Sequence, residues 1–378
     1  PLMTAKTVLP HLHVILLCED YGSRLWPIAR EQEPSCAAPV EPGSSQTLLA
    51  NTVERLLPFT SEKLHVVTTL KMAHVVDGLL ANNCKLKTKQ YELLTMPTHR
   101  GTALSVALAC ARVRKLDPAA VVLVSRTDQH VEVDERWDHA VLDAYQVAKQ
   151  EQIAVLGSVQ ETKCADWTYI RKGKSFPGID GAHHVRLFTA EQTPSTAKRV
   201  CTQGAYWYTG CLVSRAAVLM GEMVHVGDLG RTKESAGSHR IEETANFLAQ
   251  LEPKDWLHVA AQELMQALPN VSLDKAVLEV SDKLVLIACG VRFDALSTLE
   301  DLDALSAPDR DGNRTVGEGT LTRCHNTTVY AQGTKRKVAM LGLRDTLVIE
   351  LDDMTLVVAK DQLDNIDDIK ADLDLLDR

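Results

Sequence analysis

Leu16-Leu17-Cys18-Glu19-Asp20-Tyr21-Gly22-Ser23-Arg24-Leu25-Trp26-Pro27-Ile28-Ala29-Arg30-Glu31-Gln32-Glu33-Pro34 is the stretch that decides how this chain is read. It continues His13-Val14-Ile15-Leu16-Leu17, an apolar run of buried-strand length, so it is a loop leaving a strand inside a sheet. Loops in that place can cradle phosphates, because glycine lets backbone N–H groups come close. Gly22 and Arg24 suit that use. Glu19 and Asp20 oppose it, since a cradle wants bare glycine where they put two carboxylates.

Outward from the loop, strand and helix signals alternate. Leu64 to Thr69, Tyr91 to Thr95, Ala120 to Val124 and Ile153 to Leu156 read as strands. Between them, 45–57, 72–82, 102–115 and 137–149 read as helices. This alternation predicts a mostly parallel sheet covered by helices, with strand C-termini and their loops along one crevice. Further on, Tyr169-Ile170, 185–188, 206–213 and 283–288 read as strands, and 239–267 and 299–305 as helical. Composition shifts at Ala307-Pro308-Asp309-Arg310-Asp311-Gly312-Asn313. The expected domains are therefore 1–306, α/β, and 307–378, a small β domain of short strands and tight turns. The chain closes on an acidic helix, 361–377, whose stripe of Leu363, Ile366, Ile369, Leu373 and Leu376 is expected to dock on its own domain.

A net charge of -9 without a basic stripe argues against nucleic acid as a partner. No apolar run reaches membrane-spanning length, so the chain is not expected to span a membrane. Nine dispersed cysteines without a Cys-x-x-Cys pair predict free, mostly buried thiols in a reducing compartment. The sequons at Asn270, Asn313 and Asn326 then read as chance.

From Gly22-Ser23-Arg24-Leu25-Trp26-Pro27-Ile28-Ala29-Arg30-Glu31 the sequence resembles the sugar-1-phosphate nucleotidylyltransferases, and among them the bacterial mannose-1-phosphate guanylyltransferases. The likeness continues in order. It runs through Pro97-Thr98-His99-Arg100-Gly101-Thr102-Ala103, Asp128, Gly157, Trp167-Thr168-Tyr169-Ile170 and Trp207-Tyr208-Thr209-Gly210. Val271-Ser272-Leu273-Asp274-Lys275-Ala276-Val277-Leu278-Glu279 and Asp294 complete the series. The resemblance implies a Rossmann-like nucleotidyltransferase domain with a mixed, mostly parallel sheet. It also implies a C-terminal β domain of short left-handed β-helix type ending in a helix. Such enzymes join a sugar 1-phosphate to the α-phosphate of a nucleoside triphosphate and release pyrophosphate, by positioning and charge neutralisation.

The resemblance also exposes departures. The family's paired glycines fall on Glu19 and Asp20, and each carboxylate beside a phosphate would cost on the order of 3–4 kcal/mol at an effective dielectric near 20. The lysine after the signature proline becomes Ser35, and the sugar-phosphate lysine falls in Ala190-Glu191-Gln192. Gly101, Cys164, Asp166, Tyr208 and Leu296 replace other motif residues. Surviving candidates are Gly22, Arg24 and Arg100 for a remnant nucleotide loop, Asp128 and Asp294 for metal, and Arg24 and Asp128 as catalytic remnants. Arg24 is expected to pair with Glu19, Asp20 or Glu31, and Asp274 to be structural.

The function expected from this balance is a catalytically inactive relative, kept as a structural, accessory or regulatory subunit of a larger assembly. The alternative is an active nucleotidylyltransferase making GDP-mannose or another sugar nucleotide. Expected partners are protein subunits of a complex or a homologous subunit, with an oligomer through the C-terminal domain. No cofactor is expected, or Mg²⁺ if the chain is active. The family implies the cytoplasm. Residues 1–13, with one lysine and no acid, leave the mitochondrial matrix as an alternative.

Overall fold

Val121-Val122-Leu123-Val124 has no polar break, and it forms the buried part of a strand at the middle of the sheet. The computed structural model describes residues 7–19, 22, 25–30, 33–40, 44–131, 133–159, 168–189, 204–295, 298–303, 306–331 and 336–376. The chain divides into two compact units. One holds Pro1–Glu19, Thr52–Thr127 and Val131–Phe293; the other holds Asp20–Asn51, Asp128–His130 and Asp294–Arg378.

Among the described residues, the first unit is built on nine strands: β1 (Leu12–Cys18), β2 (Leu64–Thr69), β3 (Tyr91–Met96), β4 (Val121–Arg126), β6 (Ile153–Ser158), β7 (Tyr169–Ser175), β8 (Ala182–Thr189), β9 (Tyr206–Arg215) and β10 (Leu284–Ala288). Their order is β3-β2-β1-β4-β9-β6-β10-β8-β7. Two short strands, β5 (Gln129–Val131) and β11 (Phe293–Ala295), pair with each other. The β1–β2, β1–β4, β2–β3 and β6–β10 pairs are parallel.

The sheet is mixed, as the resemblance implied, with β8 and β9 running against the other strands. β9 lies antiparallel between β4 and β6, and β7–β8, β7–β9 and β8–β10 are antiparallel as well. The physical reason is the connection. A parallel neighbour needs a crossover segment, as between the first strands, whereas β7 and β8 are joined by a short turn.

The helices are α1 (Leu48–Leu56), α2 (Ala73–Asn82), α3 (Thr102–Leu116), α4 (Glu135–Lys149), α5 (Ala216–Leu229), α6 (Ser238–Leu248), α7 (Val259–Gln266), α8 (Leu299–Asp303) and α9 (Ile366–Leu376). Every residue of α3 from Ala103 to Val113 is buried, because α5 and α6 cover the side that the sheet does not. Its alanines permit that close approach on all sides. The helical stretch expected over 239–267 is two helices, since Pro253 opens a tight turn over Pro253–Leu257. α5 was not expected.

In the second unit, β12 (Arg314–Gly317), β14 (Thr328–Ala331) and β16 (Thr346–Glu350) stack in parallel register, and β13 (Gly319–Thr322) stacks on β15 (Val338–Leu341). β17 (Thr355–Ala359) closes the larger ladder antiparallel to β16. Leu25, Leu48, Val316, Tyr330, Leu347 and Ile349 belong to its core. Leu363 and Ile366 join that core while Ile369 is 40% exposed, so the stripe of the last helix docks by its first turn. Asn313 is buried, donating to the Cys324 carbonyl and accepting from the Thr327 amide. It ties the start of β12 to the turn between β13 and β14.

Candidate functional site

β1 and β4 run parallel and end at Cys18 and Arg126, so the groups just beyond them share one edge of the sheet. Glu19 comes directly after β1. Its carboxylate turns inward: it is 4% exposed, and Oε2 accepts a hydrogen bond from Ser105 Oγ in the first turn of α3. His99 Nδ1 stands 3.4 Å from the same oxygen. The positive end of a helix dipole suits a carboxylate, so α3 holds an anion from its own chain. The sequence suggested a carboxylate facing a ligand; in the structure Oε2 turns to Ser105 and His99, and Oε1 is buried without a hydrogen-bond partner.

Gly101 replaces the family's asparagine for a steric reason. Its φ is +81°, and a Cβ there would stand 2.2 Å from the Val271 carbonyl oxygen. The segment after Leu268 presses against the start of α3, where Ala103 N–H donates to that carbonyl and Leu273 N–H donates to Thr102 Oγ1. Arg100, expected at a nucleotide, donates instead to the Gln266 and Leu268 carbonyls at 2.8 and 2.7 Å, closing the C-terminal end of α7.

In the second unit, Gly22 keeps the conformation that its motif needs, with φ +85°. A Cβ on it would meet Ser35 Cβ at 2.8 Å. Ser35 is itself buried, so the position of the lost lysine presents no cation. Asp128 is half-buried just before β5, and Asp294 lies in β11, the partner of β5. Arg24, Asp20, Glu31, Glu191 and Leu296 lie outside the described residues. Among the described residues, no three His, Cys, Asp or Glu side chains gather as a metal cage. Mg²⁺ asks less than that, since one or two carboxylates and the substrate phosphates suffice. Asp128, at a strand end and half-open, is a donor of that kind.

A second cluster in the first unit was only partly visible in the sequence. Thr168 Oγ1 donates to Asp274 Oδ2 at 3.1 Å, and Tyr208 N–H donates to the Thr168 carbonyl at 2.8 Å. Burial pushes the Asp274 carboxyl up to about 6 and the Tyr208 phenol well above its ordinary value. Arg126 counteracts both shifts electrostatically. Its side chain lies over Gly210, where a Cβ would come within 2.4 Å of Arg126 Cδ; Gly210 also has φ +71°. Asp274 opens a π-helical turn, Asp274–Leu278, a conformation frequent at functional sites. Sequence reasoning passed over Arg126. The signal was present, since an arginine ends the cleanest strand of the chain.

Residues 13–222 match the sequence pattern of the nucleotidyl transferases. The chain belongs to that family. It is 26% identical over 370 residues to a mannose-1-phosphate guanylyltransferase of Salmonella typhimurium, covering 96% of this chain and 72% of that protein. It is 23% identical over 366 residues to the alginate biosynthesis protein AlgA of Pseudomonas aeruginosa, covering 95% and 72%. Among solved structures, the mannose-1-phosphate geranyltransferase of Thermus thermophilus superposes with a TM-score of 0.78 at 21% identity, over 96% of this chain and 99% of that one. That likeness concerns the nucleotidyltransferase fold. The resemblance to mannose-1-phosphate guanylyltransferases drawn from the motifs is thus borne out. The expectation of an inactive relative draws no support from these comparisons, which favour the enzymatic alternative.

Proposed function

We propose that this nucleotidyl transferase joins a sugar 1-phosphate to a nucleoside triphosphate, with mannose 1-phosphate and GTP as first candidates, giving GDP-mannose and pyrophosphate. The observation that carries this reading is the turn of Glu19 towards Ser105, which draws one of the two carboxylates of the loop to the start of α3. Gly22 at φ +85° keeps the loop able to bring backbone amides close to a phosphate. Asp128 is the residue proposed to hold Mg²⁺, which would neutralise charge building on the phosphates. The protein's own part is to hold two anions in line and to keep the fold around them fixed. The seven described cysteines are free, which supports a reducing, cytoplasmic setting. The parallel ladders of the second unit support a coil of the left-handed type.

Purified protein with GTP, mannose 1-phosphate and Mg²⁺ should release pyrophosphate and form GDP-mannose. Absence of turnover with each of the common nucleoside triphosphates would end this reading. It would leave the second one, an accessory subunit without chemistry, favoured by buried Ser35 at the place of the family's lysine. That subunit should co-purify in fixed stoichiometry with its assembly.

A further inference from the structure

The family's two phosphate-facing lysines are missing from their motif positions, so a working site needs another cation. Arg126 is an exposed arginine at the end of β4, an inner strand of the sheet beside β9. Its backbone is fixed on both sides. Ser125 Oγ donates to the Arg126 carbonyl at 2.9 Å, and Thr127 Oγ1 donates to the Leu17 carbonyl at 2.9 Å. Its stem is seated on Gly210, whose lack of a side chain leaves room for it at that point of β9. The stem is thus placed before any ligand arrives, which lowers the ordering cost of gripping one.

Asp274 and Tyr208 lie within its electrostatic reach, and both are groups that can read a sugar. Asp274 is half-buried and braced by Thr168. Tyr208 is half-buried, with its ring set edge-on against Phe188 at 5.1 Å. A carboxyl and a phenol take up sugar hydroxyls, and a guanidinium meets a phosphate in a fork of two hydrogen bonds. All of these residues belong to the first unit.

We propose that Arg126 grips the phosphate of the sugar 1-phosphate substrate, with Asp274 and Tyr208 facing the sugar hydroxyls. This rests on the transferase reading above. It adds a residue that takes over the task of the lost lysine.

Calorimetry on the full chain, titrated in turn with mannose 1-phosphate, mannose, inorganic phosphate and GTP, tests it. The wild type should bind mannose 1-phosphate at least tenfold more tightly than mannose. Arg126→Ala should lose at least tenfold in affinity for mannose 1-phosphate and change little for GTP. Arg126→Lys should recover part of the loss. Arg126→Gln keeps the stem on Gly210 and serves if the alanine variant does not fold; its thermal midpoint should stay within about 2 °C of the wild type. Unchanged affinity in Arg126→Gln, equal loss for GTP, or no binding of mannose 1-phosphate by the wild type overturns the proposal. Turnover that persists with unaltered KM for mannose 1-phosphate in Arg126→Gln overturns this assignment alone and leaves the transferase reading standing.

Discussion

β4 has charged groups at both ends, and the two ends are built on opposite terms. Before its first residue, Asp117 accepts from His11 Nδ1 at 2.8 Å and lies 3.3 Å from His13 Nε2. The His13 ring stacks at 5.6 Å from that of His65, which stands 3.3 Å from Glu92. Glu92 in turn is held by Arg112 at 2.9 Å. Burial alone would raise the Glu92 carboxyl; His65 and Arg112 overcome it and bring it to about 2. Hydrogen bonds from His11 and the Ala119 amide outweigh burial in the same way at Asp117. At the far end, burial wins at Asp274, which stands at about 6. At the first end the neighbouring charges overcome burial, and at the second burial prevails over Thr168 and Arg126.

The comparison can be broken most severely at Gly101. Gly101→Ala should cost at least about 4 kcal/mol in denaturant unfolding, because the new methyl meets backbone rather than a side chain that could move. Gly178 has nearly the same φ, +82°, with nothing within 4 Å of its Cβ direction. Gly178→Ala should cost only about 1 kcal/mol, and equal losses at both sites would show that Val271 yields.

Next in size is the compensated end. Glu92 falls from 4.5 to about 2 on folding, so its contribution is present above pH 4.5 and lost as pH falls towards 2. Glu92→Gln should lower stability by about 3 kcal/mol at neutral pH and remove the acid limb of the stability profile between those values. Asp274 shows the reverse sign. Its raised value means that the folded state holds the proton longer, so stability declines as pH rises from 3.8 to about 6. Asp274→Asn should therefore stabilise by about 2 kcal/mol at neutral pH, after allowance for the solvent that reaches it, while weakening mannose 1-phosphate binding. A destabilised Asn variant would place Asp274 with the structural charges. The smallest effect belongs to His13, lowered from 6.5 by burial. Its neutral form is the folded one, so stability should slip as pH falls below 6.5, and His13→Gln should flatten that slope in unfolding measured near pH 5.5 and 7.

The strands β1 to β4 and the helices between them were legible because buried parallel strands are unbroken apolar runs and their helices start and stop at ordinary signals. α5 was not, since the run from Ala216 to Leu229 is apolar nearly all round and gives no helical stripe. β9 was legible as a strand but not in its direction, which depends on partners distant in sequence. At the site, residue types were readable and orientations were not. Glu19 looked like an obstacle because its charge was visible and its partner, Ser105, lay 86 residues away. Gly101 looked like a lost asparagine because the backbone of Val271 could not be seen beside it.

The antiparallel direction of β17 has a consequence for the protein's behaviour in a crowd. Coils stacked in parallel form a staircase to which another step of the same kind can always be added. Thr355-Leu356-Val357-Val358-Ala359 contains no charged residue to ward off a newcomer, and Val357 is 61% exposed. The last strand runs the other way, so the row of parallel steps ends at β17, whose outer side is the edge at which any further strand would have to pair.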